Sequence, residues 1–264
     1  MKLVIKIGGD AVETRRMRRS LAKQIVRLSR SGRKVVVAHG GGKMLTRVLA
    51  DLGIRTEFSD GLRVTDAKTR DVALMVLAGI INKQWVAGIE AEGQRALGLC
   101  GGDGGLMEAR KLVMRDGRGA RSLGFVGQPG KVDPAILNMA FEQGMIPVVA
   151  SLALGPGGEY FNVNADDFAA ALANSLPADR LIYLTESGGV WDARHRRLPE
   201  VHVGEIDGLI ERGVVRDGMI PKLRSCQRVL AGRVGEIDII SSSAPGSLLR
   251  VLENRDHAGT RIVR

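Results

Sequence analysis

Short runs of apolar residues alternate along this chain with longer stretches in which apolar positions recur every three or four residues. The runs at Leu3–Ile7, Lys34–Ala38, Gln94–Leu99, Ile146–Ala150, Leu181–Thr185 and Glu236–Ile240 read as strands, and the periodic stretches near 13–31, 42–52, 66–92, 133–143, 165–176 and 218–231 read as helices. Their alternation predicts an α/β fold with a largely parallel central sheet. Residues 106–127 depart from this pattern: Glu108–Val113 and Ser122–Val126 flank the turn Arg115-Asp116-Gly117-Arg118-Gly119, as in an antiparallel hairpin.

The stretch from Asp66 to Gly93 is apolar on more than one side, through Val72, Leu74, Met75, Val76, Leu77, Ile80, Ile81, Trp85, Val86 and Ile89. Such a helix is either buried or shared with a second subunit, and a homodimer contact is the expectation. Pro177-Ala178-Asp179 marks a boundary between an N-terminal lobe, residues 1–176, and a C-terminal lobe, residues 177–264. No apolar run reaches the roughly 18–20 residues of a membrane span. Met1-Lys2 leads directly into Leu3-Val4-Ile5 without a signal-peptide pattern, so the expected location is cytoplasmic, away from the membrane.

Hydrophobic residues make up 44% of the 264, enough for one large core or two moderate ones. The net charge of +10 raises nucleic acid or an acidic partner as candidates, but the excess is local. Residues 1–50 hold 13 Lys and Arg against Asp10 and Glu13. Within 13–31, Met17, Leu21, Ile25 and Leu28 define the apolar face of a helix whose outer face is basic, which reads first as a solvated surface and second as a contact for an acidic protein. With 3% aromatics there is little to stack on bases, so nucleic acid is not expected. Cys100 and Cys226 are too few for a disulfide framework, and His39, His195, His202 and His257 lack metal-ligand spacing. Any metal would arrive with a nucleotide.

Four motifs carry candidate chemistry. Lys6-Ile7-Gly8-Gly9 and His39-Gly40-Gly41-Gly42 end strands, where bare backbone can turn its amides toward an anion. Each reads equally as a tight turn, and the spacing matches neither a P-loop nor a dinucleotide fingerprint. Asn162-Val163-Asn164-Ala165-Asp166 opens a helix, and Asp217-Gly218-Met219-Ile220-Pro221-Lys222 opens another. Lys6 and Lys222 suit the neutralisation of a transferring phosphoryl group, with Asp166 between them. Read blandly, Lys6 snorkels to solvent and Asp166 is a first-turn helix acid. In Gly61-Leu62-Arg63-Val64-Thr65-Asp66, Thr65 or Asp66 caps the long helix and Arg63 is disposed to clamp a carboxylate.

Taken in order with Gly101-Gly102-Asp103-Gly104, Gly127-Gln128-Pro129-Gly130 and Gly259-Thr260-Arg261-Ile262, these motifs resemble the N-acetylglutamate kinases of the amino acid kinase family over nearly the full length. The resemblance implies a three-layer αβα sandwich, an N-terminal lobe for the acyl amino acid and a C-terminal lobe for ATP. It implies ATP-dependent phosphorylation of the side-chain carboxylate of N-acetyl-L-glutamate in arginine biosynthesis, with Mg2+ carried on the ATP phosphates. Lys6 and Lys222 would stabilise the transition state and Asp166 would orient both. Gly8, Gly9, Gly41 and Glu186 would meet phosphate or nucleotide, while Gly41, Gly42, Arg63 and Asn162 would hold substrate. Thr185-Glu186-Ser187-Gly188-Gly189-Val190 departs from the aspartate that relatives usually carry on the nucleotide lobe. The start at the first strand, without the added helix of arginine-inhibited relatives, leads to the expectation of an arginine-insensitive dimer. The alternative is a kinase for N-acetyl-aminoadipate, or for aminoadipate or glutamate on an acidic amino-group carrier protein.

Overall fold

A computed structural model describes residues 1–9, 14–116, 119–192, 194–215, 219–253 and 259–264. In chain order the elements are β1 (Lys2–Ile7), α1 (Arg15–Arg30), β2 (Lys34–His39), α2 (Gly42–Asp51), β3 (Phe58–Ser59), β4 (Leu62–Arg63), α3 (Ala67–Glu90) and β5 (Ala96–Cys100). Then follow β6 (Met107–Asp116), β7 (Gly119–Val132), α4 (Ala135–Glu142), β8 (Ile146–Ala150), β9 (Leu152–Leu154), β10 (Tyr160–Val163), α5 (Ala165–Ser175) and β11 (Arg180–Thr185). The chain closes with β12 (Val190–Trp191), β13 (Arg197–Leu198), β14 (Glu200–His202), α6 (Ile206–Glu211), α7 (Met219–Leu230), β15 (Glu236–Ser241), α8 (Ser247–Leu252) and β16 (Gly259–Val263).

Eight strands form the central sheet in the order β14-β16-β15-β11-β1-β2-β8-β5. Every neighbouring pair is parallel except β15 and β16. Side chains alternate across β1 and sort into two cores. Leu3, Ile5 and Ile7 pack with α1, α2, α3 and α8, whereas Val4 packs with α4, α5, α6 and α7 on the other face. The result is the expected three-layer αβα sandwich. The alternation also turns Lys6 toward the α5 side, because it shares its face with Val4.

The expected hairpin is longer than the sequence pattern indicates: β6 and β7 pair from Met107 to Val132 through two register shifts and join β9 and β10 in a small closed barrel beside the sheet. Residues 117 and 118 of its turn lie outside the described residues. Weak polar alternation hid β14, β16, α6 and α8, which are short.

The long helix needs two corrections. Its middle, Leu74–Ile81, is π-helical, flanked by α-helical Ala67–Ala73 and Asn82–Glu90. By length and hydropathy this 24-residue helix is also sufficient to cross a membrane, contrary to the sequence reading. Val72, Val76, Leu77, Ile81, Trp85 and Ile89 nevertheless pack into the core, and Met75 and Ile80 stay exposed. Asp66, not Thr65, caps it: its carboxylate accepts the Thr69 amide at 2.8 Å, and buried Thr65 donates to Arg63 O.

Candidate active site

Two glycine turns meet at the carboxyl ends of adjacent strands β1 and β2. A Cβ on Gly8 would fall 2.5 Å from Lys6 Nζ, and one on Gly9, which has φ +62°, would fall 2.5 Å from Glu186 Oε1. A side chain at either position would push the charged end of Lys6 or Glu186 aside, and the left-handed φ of Gly9 favours glycine. In the second turn, a Cβ on Gly41 would lie 2.1 Å from Ile81 Cδ1, pressed against the π-helical segment. Gly42 has open space around its Cα and begins α2, whose first amides lack intrahelical acceptors.

His39 anchors this second turn from beneath. Its ring is fully buried, with Nδ1 3.0 Å from Gly40 O and Nε2 3.2 Å from Asn82 Nδ2. Asn82 also donates to Leu99 O and Val148 O, tying α3 to β5 and β8. Burial lowers the imidazole pKa to about 4, only partly offset by its bond to Gly40.

Lys6 and Lys222 converge on one carboxylate. Lys6 Nζ lies 2.8 Å from Asp166 Oδ1, and Lys222 donates to Asp166 Oδ2. Burial pushes the Asp166 pKa up, but the two cations outweigh it and hold the carboxyl well below the usual range. Both lysine side chains are largely shielded, 13% and 12% exposed, so Lys6 does not snorkel to solvent. Lys222 Nζ also sits 4.8 Å above the buried Tyr183 ring. Asn164 sets the position of Asp166 by capping α5, accepting the amides of Asp166 and Asp167 at 2.9 and 3.2 Å. Asp167 accepts from Ser225 and Arg228 of α7, which fixes that helix and Lys222 with it. Asp217 and Gly218 of the fourth motif lie outside the described residues.

A cleft of about 230 Å³ joins these parts: Lys6, Gly8, Gly9, Gly41, Gly42, Arg63 and Asn162 all line it. Arg63 is buried, and its guanidinium donates to Thr56 Oγ1, Gly42 O and Thr46 Oγ1 at 3.1, 3.0 and 2.8 Å while stacking on Phe58 at 4.8 Å. Its plane is thereby fixed before any ligand enters, and desolvation lowers its pKa. Glu186 stands at the lip, 2.7 Å from Lys43, bridging the turn after β11 to the start of α2. The cleft thus gathers cations and bare amides suited to an anionic substrate.

Sequence reading missed several contributors. Ser151 lines the cleft, and Thr56, Thr46 and Phe58 hold Arg63. Nothing local distinguishes these residues. Asn164 was detectable, since Asn immediately before a helix start is a capping signal.

Residues 1–241 match the Amino acid kinase family. The acetylglutamate kinase of Koribacter versatilis is 44% identical over 263 residues, covering 100% of this chain and 99% of that protein. The acetylglutamate kinase of Bartonella quintana is 41% identical over 99% of this chain and 89% of its own length. Among solved structures, N-acetylglutamate synthase from Neisseria gonorrhoeae, complexed with coenzyme A and N-acetyl-glutamate, superposes with a TM-score of 0.88 at 28% identity. This chain spans 59% of that longer protein. Carbamate kinase from Giardia lamblia bound to AMP-PNP, at 18% identity and a TM-score of 0.69, shares the fold. The ordered glycine turns, the paired lysines and the extent of these matches lead to one conclusion: this chain belongs to the amino acid kinase family.

Proposed function

We propose that this kinase transfers the γ-phosphoryl group of ATP to the side-chain carboxylate of N-acetyl-L-glutamate, giving an acyl phosphate and ADP, a step of arginine biosynthesis. The observation that carries the reading is Asp166 between Lys6 and Lys222 beside a glycine-lined cleft containing Arg63 and Asn162. A carboxylate oxygen attacks phosphorus in line as the bond to the bridging oxygen of ADP breaks. The attacking group is already ionised at neutral pH, so no general base is required. Lys6 and Lys222 stabilise the charge on the transferring group. Asp166 keeps both ammonium groups in position and leaves the trio with one net positive charge.

Arg63 receives the substrate's main-chain carboxylate, and Asn162 receives its acetamido group. Amides of Gly8, Gly9, Gly41 and Gly42 meet the phosphates and the transferred group, with Glu186 at the nucleotide side. The lobe of residues 1–176 takes the acyl amino acid, and residues 177–264 take ATP. Among the described residues no three His, Cys, Asp or Glu side chains gather to chelate a metal. Mg2+ bound through the ATP phosphates would shield their charge. The exposed Met75 and Ile80 support a homodimer formed through α3.

The test is ADP release with Mg-ATP, comparing N-acetyl-L-glutamate with N-acetyl-L-aminoadipate and trapping the acyl phosphate as a hydroxamate. Turnover with the first and little with the second is expected. Preference for the longer acid, or ADP release without a hydroxamate, overturns the proposal.

A further inference from the structure

A second concavity, a groove of about 1080 Å³ between α1 and the C-terminal half of α3, shares no lining residue with the cleft. Its charge is one-sided. Five cations of α1 line it, opposed among the described lining residues by the single carboxylate of Glu92, which lies 3.7 Å from Arg19. Three of these cations, Arg15, Arg16 and Arg18, sit in the first turn of α1, and that turn holds no acidic residue. Cations are unfavourable at the positive end of a helix, so this arrangement works against the stability of α1 itself. Burial, and then the neighbouring Arg15, lower the Arg18 pKa.

The groove also has a shape. Arg15, Arg19 and Lys23 recur every four residues and form a row along one wall, with neighbours about 6 Å apart. The facing wall presents Ala87 and Ala91, small exposed residues that let another backbone approach closely. A Cβ on Gly88 would touch Arg18 Cγ at 3.7 Å and Ala22 Cβ at 3.9 Å, so α1 itself packs on this glycine at the floor of the groove. Arg30 donates to Glu92 O and Gly93 O, both at 2.9 Å, and ties the two helices together. No aromatic side chain lines the groove, so nothing there would stack on bases.

We propose that this groove docks a two-turn acidic helix of a partner protein, whose carboxylates, spaced four residues apart, face Arg15, Arg19 and Lys23. Charge supplies attraction and register, and the small-residue wall supplies close packing.

The probe is a fluorescein-labelled alanine-based helix of about 16 residues, long enough to be helical in isolation, with Glu at i, i+4 and i+8. A control peptide of the same composition scatters the Glu residues around the helix. Fluorescence anisotropy with the full-length protein is read at low and physiological salt. Binding of the patterned helix should exceed that of the control by about tenfold, the sum expected of a few exposed ion pairs. Charge reversal at Arg15→Glu, Arg19→Glu and Lys23→Glu together should abolish that preference. Ala87→Trp, at an exposed position, leaves every charge in place and should weaken the patterned helix by a similar factor. Both variants should retain kinase turnover, which reports folding. Equal binding of both peptides, undiminished binding by Ala87→Trp, tighter binding of tripolyphosphate or oligo-dT, or no saturable binding at low salt each overturns the proposal.

Discussion

Lys6 Nζ lies 2.8 Å from Asp166 Oδ1, joining the middle strand of the sheet to the first turn of α5. Lys222 holds the second oxygen of the same carboxylate, so two cations from separate elements share one anion. Asp166→Asn preserves shape but removes that charge. It should lower kcat about 100- to 1000-fold, the effect of losing one preorganised electrostatic contact, while KM for both substrates changes little. Lys222→Met should act in the same way. Steady-state kinetics check this, and near-normal kcat in either variant would remove the trio from the mechanism.

Arg63→Lys keeps the charge but loses the planar fork that Thr46, Thr56 and Gly42 O hold in place. KM for N-acetyl-L-glutamate should rise about 10- to 100-fold, equivalent to a charge-assisted bond, with kcat and KM for ATP largely retained. An unchanged KM for the acyl amino acid would mean that Arg63 serves only to brace α2.

Gly41→Ala brings a methyl group against Ile81, 2.1 Å away from Cδ1. Overpacking should destabilise the protein by about 1–3 kcal/mol. Ile81→Ala alone creates a cavity, but in the double variant the two changes should compensate in part. A double-mutant cycle by chemical denaturation measures the coupling, and strict additivity would disprove the contact.

His39 gives stability a pH dependence. Its pKa is about 4 when buried and near 6.5 when unfolded, so the folded state loses stability as pH falls from about 6.5 toward 4 and gains none from this group above that window. The full effect is about 3 kcal/mol. Asp166 contributes in the same direction at lower pH, because its depressed pKa favours folding only where the carboxylate is ionised. Thermal melts across pH 4–7 should show a shallower slope in His39→Asn than in the parent protein, and identical slopes would exclude His39 as the source.

Met75 and Ile80 project from the outer side of α3, 57% and 45% exposed, opposite residues packed in the core. If the proposed homodimer forms through α3, Ile80→Glu should convert it to a monomer in light scattering while leaving the secondary structure intact. A parent protein that is monomeric would overturn the proposed homodimer, and a variant that remains dimeric would place the interface elsewhere.

Much of the fold was legible because its strands are short apolar runs and its helices are periodic. Six strands and six helices appear close to their expected positions. The π-helical segment was not legible, since its apolar content fits an α-helix equally well. The chain's ability to pair β9 and β10 with β6 and β7 was likewise hidden in residues of ordinary β pattern.

By itself, the sequence determined the α/β alternation, the bare turns at Gly8-Gly9 and Gly40–Gly42, and the candidate cations Lys6, Arg63 and Lys222. These are local properties, set by hydrophobic period and by the absence of side chains at particular positions. Only the tertiary structure decided that Lys6 faces α5, that Asp166 takes both lysines, and that Arg63 is fixed by Thr46, Thr56 and Phe58. Those contacts depend on the order of parallel strands and the face each side chain takes, and long-range pairing is settled by the packing of the whole core rather than by any neighbouring residues.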